Sequence, residues 1–431
     1  MTTGPSIVWL RDDLRLADNP ALTAAAERGE PVAILYLLDD TSDGIRPLGA
    51  ATKWWLDQSL RSMDAPVILR RGAAGVELPK LVGELGAGAV FWNRRYGGPQ
   101  RAVDAALKTA LRDSGLEVRS FQGSLLHEPW TVSTGSGTPF RVFTPFWRAC
   151  LEAGGPRRPL PVPDFESITA PGVDLELTQH WPNDLPAHWT PGEVGAQAQL
   201  ERFVRESDDY ARARDEPARD ATSHLSPHLR FGEISPFQVW HHVPSADFRR
   251  ELGWREFNWN VLYHFPELAT ENFRPEFDAF PWSAPDPAVL QAWQQGRTGI
   301  PLVDAGMREL WNTGFMHNRV RMIVASFLVK NLLVDWRVGE AWFWDTLLDA
   351  DEANNPANWQ WVAGSGADAA PYFRVFNPVL QAQKFDPHGE YQRRWIPELD
   401  TDAYPEPIVD LRSSRAEALE AFGHLKRASR D

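Results

Sequence analysis

Over the first 125 residues, apolar positions fall in short unbroken runs separated by stretches with helical spacing. SIVWL, VAILYLL, PVILRRG, AVFWN and LEVRSF read as strands buried on both faces. Between them, ALTAAAERGE, TKWWLDQSL, GVELPKLVGELG and PQRAVDAALKTALRDSG repeat apolar residues at three- and four-residue intervals, the period of an amphipathic helix. Strand and helix in alternation predict a doubly wound parallel sheet, with a ligand crevice beyond the carboxyl ends of its strands. The loop after the first strand is RDDLRLADNP and not GxGxxG, so ordinary dinucleotide binding is not supported there.

From Gly195 onward strand signals nearly vanish. Helical segments punctuated by Pro, Gly and Asn run to about Trp395, and a last helical piece spans Ser413 to Leu425. Residues 154–192 are rich in Pro and Gly and read as a connector crossing the surface. A chain of 431 residues exceeds what one core comfortably fills. The expected organisation is an α/β domain at 1–130, a connector at 131–194 and an all-α domain at 195–431.

The net charge of −14 argues against nucleic acid as a partner. Binding follows the local field of one face, however, and Trp311 to Lys330 carries Arg319, Arg321 and Lys330 with no acid beyond them. A single cysteine, Cys150, excludes a disulfide framework and a cysteine metal cluster. The N-terminus lacks a signal-peptide layout, and the apolar run MIVASFLVKNLLV is too short and too polar to span a bilayer. A cytoplasmic protein with no membrane partner is expected. Twenty tryptophans are present, twelve of them between Trp240 and Trp395. Packing explains most, because indoles bury large areas; for a handful, polar neighbours suggest another use.

Four segments carry candidate chemistry. In ATSHLSPHLRFGEIS, Thr222, Ser223 and Ser226 precede and open a helix, which suits either a plain cap or an anion site. In ELGWREFNWN, Glu251, Trp254, Arg255 and Asn258 share one helical face, either a solvated surface or a floor for a base. In GFMHNRVRM, Asn318 and Met322 are four apart, as are His317 and Arg321, while Arg319 points elsewhere. In LLDADEANNPANWQW, Asp349 and Asp351 precede a turn that lacks the ligand spacing of a calcium loop, so no metal site is expected. Hydrogen bonding to a ribose, a ring N–H or Arg321 suits the pair better. Trp359 and Trp361 should point to opposite sides of their helix.

Together these segments resemble the photolyase/cryptochrome family. The resemblance runs from IVWLRDDLRLADNPAL to KFDPHGEYQRRWIPEL and is most specific in GIPLVDAGMRELWNTGFMHNRVRMIVASFLVKNLLVDWR and WQWVAGSGADAAPYFRVFNP. It implies an N-terminal α/β antenna domain and a helical domain holding one non-covalent FAD. Matched motif by motif, Tyr210 and the stretch Thr222, Ser223, His224, Leu225, Ser226 resemble the cofactor cradle, with His224 where many members have Arg. Arg321 and Asp349 resemble the ion pair beside the flavin, Asp351 a partner of the ring edge, and Asn355 the residue facing flavin N5.

The resemblance further implies light-driven repair of cyclobutane pyrimidine dimers in UV-damaged DNA, by electron transfer from excited reduced FAD to a flipped-out dimer. Asn355 and the MHNR motif resemble those of dimer photolyases, and GMRELW and FWDTLLDAD resemble the plant-cryptochrome-like bacterial branch. A blue-light-sensing cryptochrome without repair activity and a (6-4) photolyase are the alternatives. Arg214, Arg255 and Arg319 are expected to hold phosphates. Glu251 is expected on the dimer's base edge, with Asn258, Asn318, Met322 and Gln381 lining the DNA-binding surface and Trp254 and Trp361 stacking on the lesion. Trp359, Trp336 and Trp282 are expected to relay electrons, and Trp293 to serve the core. A second pigment, folate or deazaflavin, stays open, because Gln100 and its loop depart from the familiar folate-contact pattern. A monomer without an obligate protein partner is expected.

Overall fold

The computed structural model describes residues 3–177, 185–206, 209–369 and 373–428. Five strands, β1 (Ser6–Leu10), β2 (Val32–Leu38), β3 (Val67–Arg71), β4 (Ala89–Asn93) and β5 (Glu117–Phe121), form one parallel sheet in the order β3-β2-β1-β4-β5. The register sets Ile7 against Ala33 on one side and Val90 on the other. The topology is the doubly wound one expected, with its switch point between β1 and β4. β1, β2 and β4 are buried throughout, whereas β3 and β5 are edges and only partly covered. Continuous apolar runs therefore overstated the burial of those two strands.

Four crossover helices cover the sheet: α1 (Pro20–Ala26), α2 (Ala50–Arg61), α3 (Ala74–Leu85) and α4 (Gly98–Asp113). Alternation within each strand divides the core. Val8, Leu10, Ile34 and Phe91 pack with Trp55 and Phe231 on one face, and Ile7, Trp9, Leu35 and Val90 pack with Leu78 and Leu107 on the other.

The expected connector is not plain chain. It contains α5 (Phe143–Glu152), whose Phe143, Phe146 and Cys150 join a core with Phe257 and Val261. It then returns to the sheet, where the Val32 N–H donates to the Glu166 carbonyl at 2.8 Å. Residues 178–184 of that connector lie outside the described residues.

The rest is helical: α6 (Glu193–Glu206), α7 (Tyr210–Ala213), α8 (Ser226–Phe231), α9 (Pro236–His242), α10 (Ala246–His264), α11 (Pro287–Gln294), α12 (Pro301–Thr313), α13 (Asn318–Ser326), α14 (Trp336–Thr346), α15 (Asn354–Ala363), α16 (Pro378–Phe385), α17 (Glu390–Trp395) and α18 (Leu411–Ala428). Its main core lies among α12–α15, around Trp293, Trp336, Phe343 and Trp359. α14 and α15 approach closely because Gly339 lies flat against the Trp359 ring, where any Cβ would overlap the indole. A π-helical segment, Phe327–Asn331, follows α13 and is buried throughout.

The loop RDDLRLADNP staples the two halves together. Fully buried Arg15 donates to the carbonyls of Gly232 (2.8 Å) and Gly123 (2.7 Å), and the Leu14 N–H donates to the Phe231 carbonyl (3.0 Å). Asp12 pairs with Arg230, and Asp18 with Arg157. Gly232 has φ +64 and packs on the Asp12 carbonyl, so its left-handed backbone and missing side chain are both required. This loop is structural, which accounts for the absence of a glycine-rich phosphate motif.

Candidate cofactor and substrate site

Tyr210 opens α7 and is buried, with its phenol pushed upward in pKa by that burial. Across from it, α8 begins at Ser226, and the residues before it form an open loop. Ser223 Oγ accepts from the Leu225 N–H at 3.3 Å, and Leu225 anchors the loop in the core. Among the described residues the Thr222 and Ser226 hydroxyls have no protein hydrogen bond, which leaves them for a ligand. His224 has φ +50; its Nε2 bonds Asp220 at 2.9 Å and its ring lies 4.9 Å from Phe315. The charge that an arginine would bring to this position is thus replaced by an imidazole already held by a carboxylate.

Arg321 and Asp349 form a two-pronged ion pair at 3.0 and 2.9 Å, and Arg321 Nε also donates to the Met316 carbonyl at 2.6 Å. His317 caps α13: its Nδ1 accepts from the Arg319 N–H at 3.2 Å, so the ring proton sits on Nε2. That buried Nε2 has no hydrogen-bond partner in the protein. Burial lowers the His317 pKa to about 4, keeping the ring neutral. An orphaned buried N–H and hydroxyls without protein partners are groups that a bound polar cofactor would satisfy.

Asp351 is buried and caps α15, accepting from the N–H groups of Ala353 (2.9 Å) and Asn354 (2.5 Å); burial raises its pKa. Its position fits the expected neighbourhood, but its oxygens are largely committed to the helix. Asn355 follows. Its Nδ2 donates to the Glu340 carbonyl at 3.0 Å and to Glu340 Oε1 at 2.8 Å, and Arg46 grips the same carboxylate at 2.7 and 2.9 Å. Neither Glu340 nor Arg46 was foreseen. The legible signal was a carboxylate on the buried face of α14, four residues after Trp336 and three before Phe343.

The face of α10 is less open than expected. Glu251 is ion-paired with Arg214, and Arg319 with Asp215 at 2.7 Å. Asn258 is buried and donates to Asn354 Oδ1 at 2.9 Å. Arg255 turns inward, donating to the Ser124 carbonyl at 2.8 Å and to Glu256 at 3.2 Å. The phosphate-holding role assigned to Arg255 is therefore corrected: its guanidinium joins the two halves. The stretch Trp311–Lys330 is likewise not a basic face, since Arg319 and Arg321 are paired and Lys330 is buried. Sequence reasoning also missed Glu256, on the buried face of α10, where it accepts from the N–H groups of Leu126 and His127 and is raised to about 7 by burial.

Trp254 is half-buried and lies flush on Phe143, with centroids 3.9 Å apart and planes 8° apart, so one indole face is covered. Asn318 is exposed at the start of α13, and Met322 and Gln381 are half-buried. Trp359 and Trp361 do point apart: Trp359 is buried, while Trp361 is half-buried and donates to the Asp368 carbonyl at 3.0 Å. Trp336 is fully buried, with its Nε1 donating to Asn272 Oδ1 at 2.9 Å. Trp336 and Trp359 share one apolar cluster, and half-buried Trp282 packs against it. Trp293 is a core residue, edge-on to Trp359 at 6.4 Å.

Beyond the carboxyl ends of β1 and β4 the expected crevice exists, lined by Arg11, Asn93, Arg95, Gln100 and Glu352. Its own side chains take the stacking places: the guanidinium groups of Arg11 and Arg95 lie 4.4 and 5.4 Å from the Trp9 ring centre. Gln100 Nε2 donates to Glu352, a buried carboxyl raised to about 7, while Gln100 Oε1 is buried without a hydrogen-bond partner among the described residues.

Comparison with known proteins bears on the cradle, the Arg321–Asp349 pair and the doubly wound sheet together. Residues 6–164 match the family described as DNA photolyase, and residues 248–403 match the FAD binding domain of DNA photolyase. A deoxyribodipyrimidine photo-lyase of Agrobacterium fabrum is 48% identical over 100% of both chains. The chain belongs to the photolyase/cryptochrome family. A bacterial class III photolyase structure from Agrobacterium tumefaciens superposes with a TM-score of 0.94 at 46% identity, covering 99% of this chain and 98% of that one. An archaeal photolyase from Sulfolobus tokodaii, solved with two FAD molecules, gives 0.86 at 30% identity, covering 97% and 100%. The family assignment makes the chain a photolyase-type enzyme that takes FAD in its helical half. The open hydroxyls at 222 and 226, the orphaned His317 N–H and the Arg321–Asp349 pair fit that group. Among the described residues there is no cluster able to hold a metal ion, and no helix is long and apolar enough to cross a membrane.

Proposed function

We propose that this photolyase repairs cyclobutane pyrimidine dimers in DNA under blue light. The observation that carries the reading is Asn355. It places a neutral amide, fixed on Glu340, one residue beyond the α15 N-terminus and within the matched FAD-binding segment. Reduced FAD supplies the photoexcited electron that opens the two cyclobutane bonds and is then returned.

The chain's own residues bind, orient and exclude water. Half-buried Trp254, backed by Phe143, offers a rigid platform for one base of the dimer, and Trp361 offers a second. Stacking contributes ~1–3 kcal/mol per base, against a few kcal/mol to extrude a damaged pair from the duplex. An intact pair costs more to extrude, so the same platform favours the lesion. Glu251 presents a carboxylate to the base edge. Arg214 and Arg319 reach phosphates by exchanging Glu251 and Asp215 for them, which makes affinity depend on salt. Asn318 and Met322 fill the space beside the lesion. Trp359, Trp336 and Trp282 run from a buried to a half-exposed position and serve as the path by which electrons reach the cofactor.

The test is direct. Irradiation of a dimer-containing oligothymidine with the reduced holoenzyme should restore thymine absorbance. Absence of recovery would overturn the repair reading in favour of a light sensor, and recovery only with a (6-4) photoproduct would reassign the specificity.

A further inference from the structure

Arg46 reaches the helical half from the loop between β2 and α2. That loop is fixed on α14 at several points besides this side chain. The Trp344 Nε1 donates to the Pro47 carbonyl at 2.9 Å, and the Ala50 N–H donates to Asp345 Oδ1 at 2.9 Å. Gly49 packs so closely on the Trp344 carbonyl that a Cβ would overlap it. The Arg46 guanidinium lies over the Trp344 ring, 3.9 Å from its centre. From there it spans both oxygens of Glu340, whose side chain is only 4% exposed. A planar fork on two carboxylate oxygens fixes orientation as well as charge. Among the described residues Arg46 is the one cation paired with that carboxylate.

The carboxylate in turn faces Asn355. Both partners of the Asn355 amide, the Glu340 carbonyl at 3.0 Å and Glu340 Oε1 at 2.8 Å, accept and do not donate. That decides which end of the amide is which: Nδ2 meets Glu340, and Oδ1 lies at the other end. Asn355 is buried, yet among the described residues its Oδ1 accepts no hydrogen bond. Take Arg46 away, and the buried carboxyl has no counter-charge, so burial favours its protonated form. A protonated carboxyl donates as well as accepts. One of the two acceptors that hold Nδ2 is then no longer obligatory, and the amide is free to turn.

We propose that Arg46, from the α/β half, is a positioning residue for the flavin in the helical half: through Glu340 it fixes which end of the Asn355 amide meets the cofactor. The proposal rests on the reading that Asn355 meets the flavin edge at N5. That nitrogen accepts a hydrogen bond when the flavin is oxidised, and carries a proton once two electrons and a proton have reduced it. An amide oxygen held toward it favours the reduced form, and an amide N–H favours the oxidised form. Arg46 therefore biases the cofactor toward the reduced state without touching it.

The experiment is a reductive titration of the full-length holoenzyme with dithionite, the midpoint potential being read from flavin absorbance against a reference dye. Arg46→Met should lower that potential by about 30 mV, the two-electron equivalent of a ten-fold loss of preference for reduced flavin. Arg46→Lys keeps the charge and should restore most of the difference. In a Glu340→Gln background the side chain at 340 has no charge for Arg46 to hold, so adding Arg46→Met should shift the potential no further. An arginine that served only to dock the loop would lower Tm and leave the potential unmoved, or would shift it equally in both backgrounds; either result overturns the proposal. Asn355→Ala separates the two readings. A potential shifted by Asn355→Ala but not by Arg46→Met overturns the role of Arg46 alone, and a potential unmoved by Asn355→Ala overturns the placing of Asn355 at the flavin edge as well.

Discussion

Asn355 donates its side-chain amide to Glu340, 2.8 Å from Oε1, while Arg46 spans both oxygens of that carboxylate. Replacing Asn355 with Asp sets two carboxyl groups against each other with one guanidinium between them. One of them must then hold a proton at neutral pH. The variant should lose about 1–3 kcal/mol of stability, more at pH 8 than at pH 6, and its light-induced flavin spectra should differ from wild type. Thermal melts at both pH values and illuminated absorbance spectra check this; unchanged spectra with unchanged repair would remove Asn355 from the cofactor's edge.

Trp336→Phe keeps most of the apolar volume and removes the donor to Asn272. A modest stability loss of about 1–2 kcal/mol is expected. Photoreduction of oxidised enzyme should fall sharply, while enzyme reduced beforehand with dithionite repairs as before. Normal photoreduction would strike Trp336 from the relay.

Asp349→Asn leaves the Arg321 guanidinium half-buried without its counter-charge. The expected cost is roughly 1–3 kcal/mol, accompanied by faster release of FAD on dilution. Release measured by recovery of free-flavin fluorescence separates this from a purely local packing defect, which would lower Tm alone.

Stability should depend on pH through buried groups, among them Glu256, Glu352 and His317. Glu256 and Glu352 are raised to about 7 from 4.5, so the stability they contribute is complete below 4.5 and is lost as pH rises through 7. His317 is lowered to about 4 from 6.5, so its contribution is complete above 6.5 and is lost as pH falls toward 4. The two carboxyls outweigh the imidazole between pH 5 and 8, and Tm should decline across that interval. Glu352→Gln should flatten the decline. A variant melting with the wild-type slope would show that Glu352 ionises freely in the folded protein.

Gly232→Ala tests the staple between the halves. A Cβ there overlaps the Asp12 carbonyl on a backbone at φ +64. The cost should reach about 2 kcal/mol or more in chemical denaturation. A loss no larger than that of an exposed glycine would mean the loop can shift aside.

Strand and helix order was legible because period-two and period-3.6 patterns are set by local chemistry, and all five strands lie where the apolar runs fall. The Arg321–Asp349 pair was legible because each residue belongs to a distinctive segment. Arg255 was misread because its helical face contains polar groups whether it meets solvent, a base or the Ser124 carbonyl 131 residues away. Glu340 escaped notice because a single acid in WRVGEAWFWD marks a buried helical position but not its partner, Arg46, which lies 294 residues earlier. Long-range pairing of charges is the property that one-dimensional spacing does not encode.

The two matched segments, 6–164 and 248–403, suggest separable modules, yet the loop after β1 argues otherwise. Fully buried Arg15 bonds the Gly232 carbonyl, and detaching either half would break that bond and expose to water the apolar surface that Phe231 shares with the sheet. The two halves should therefore melt as one cooperative unit, and the helical half should not be portable as a stand-alone flavin module. Swapping the α/β half between relatives is expected to succeed only when the residues facing that loop travel with it.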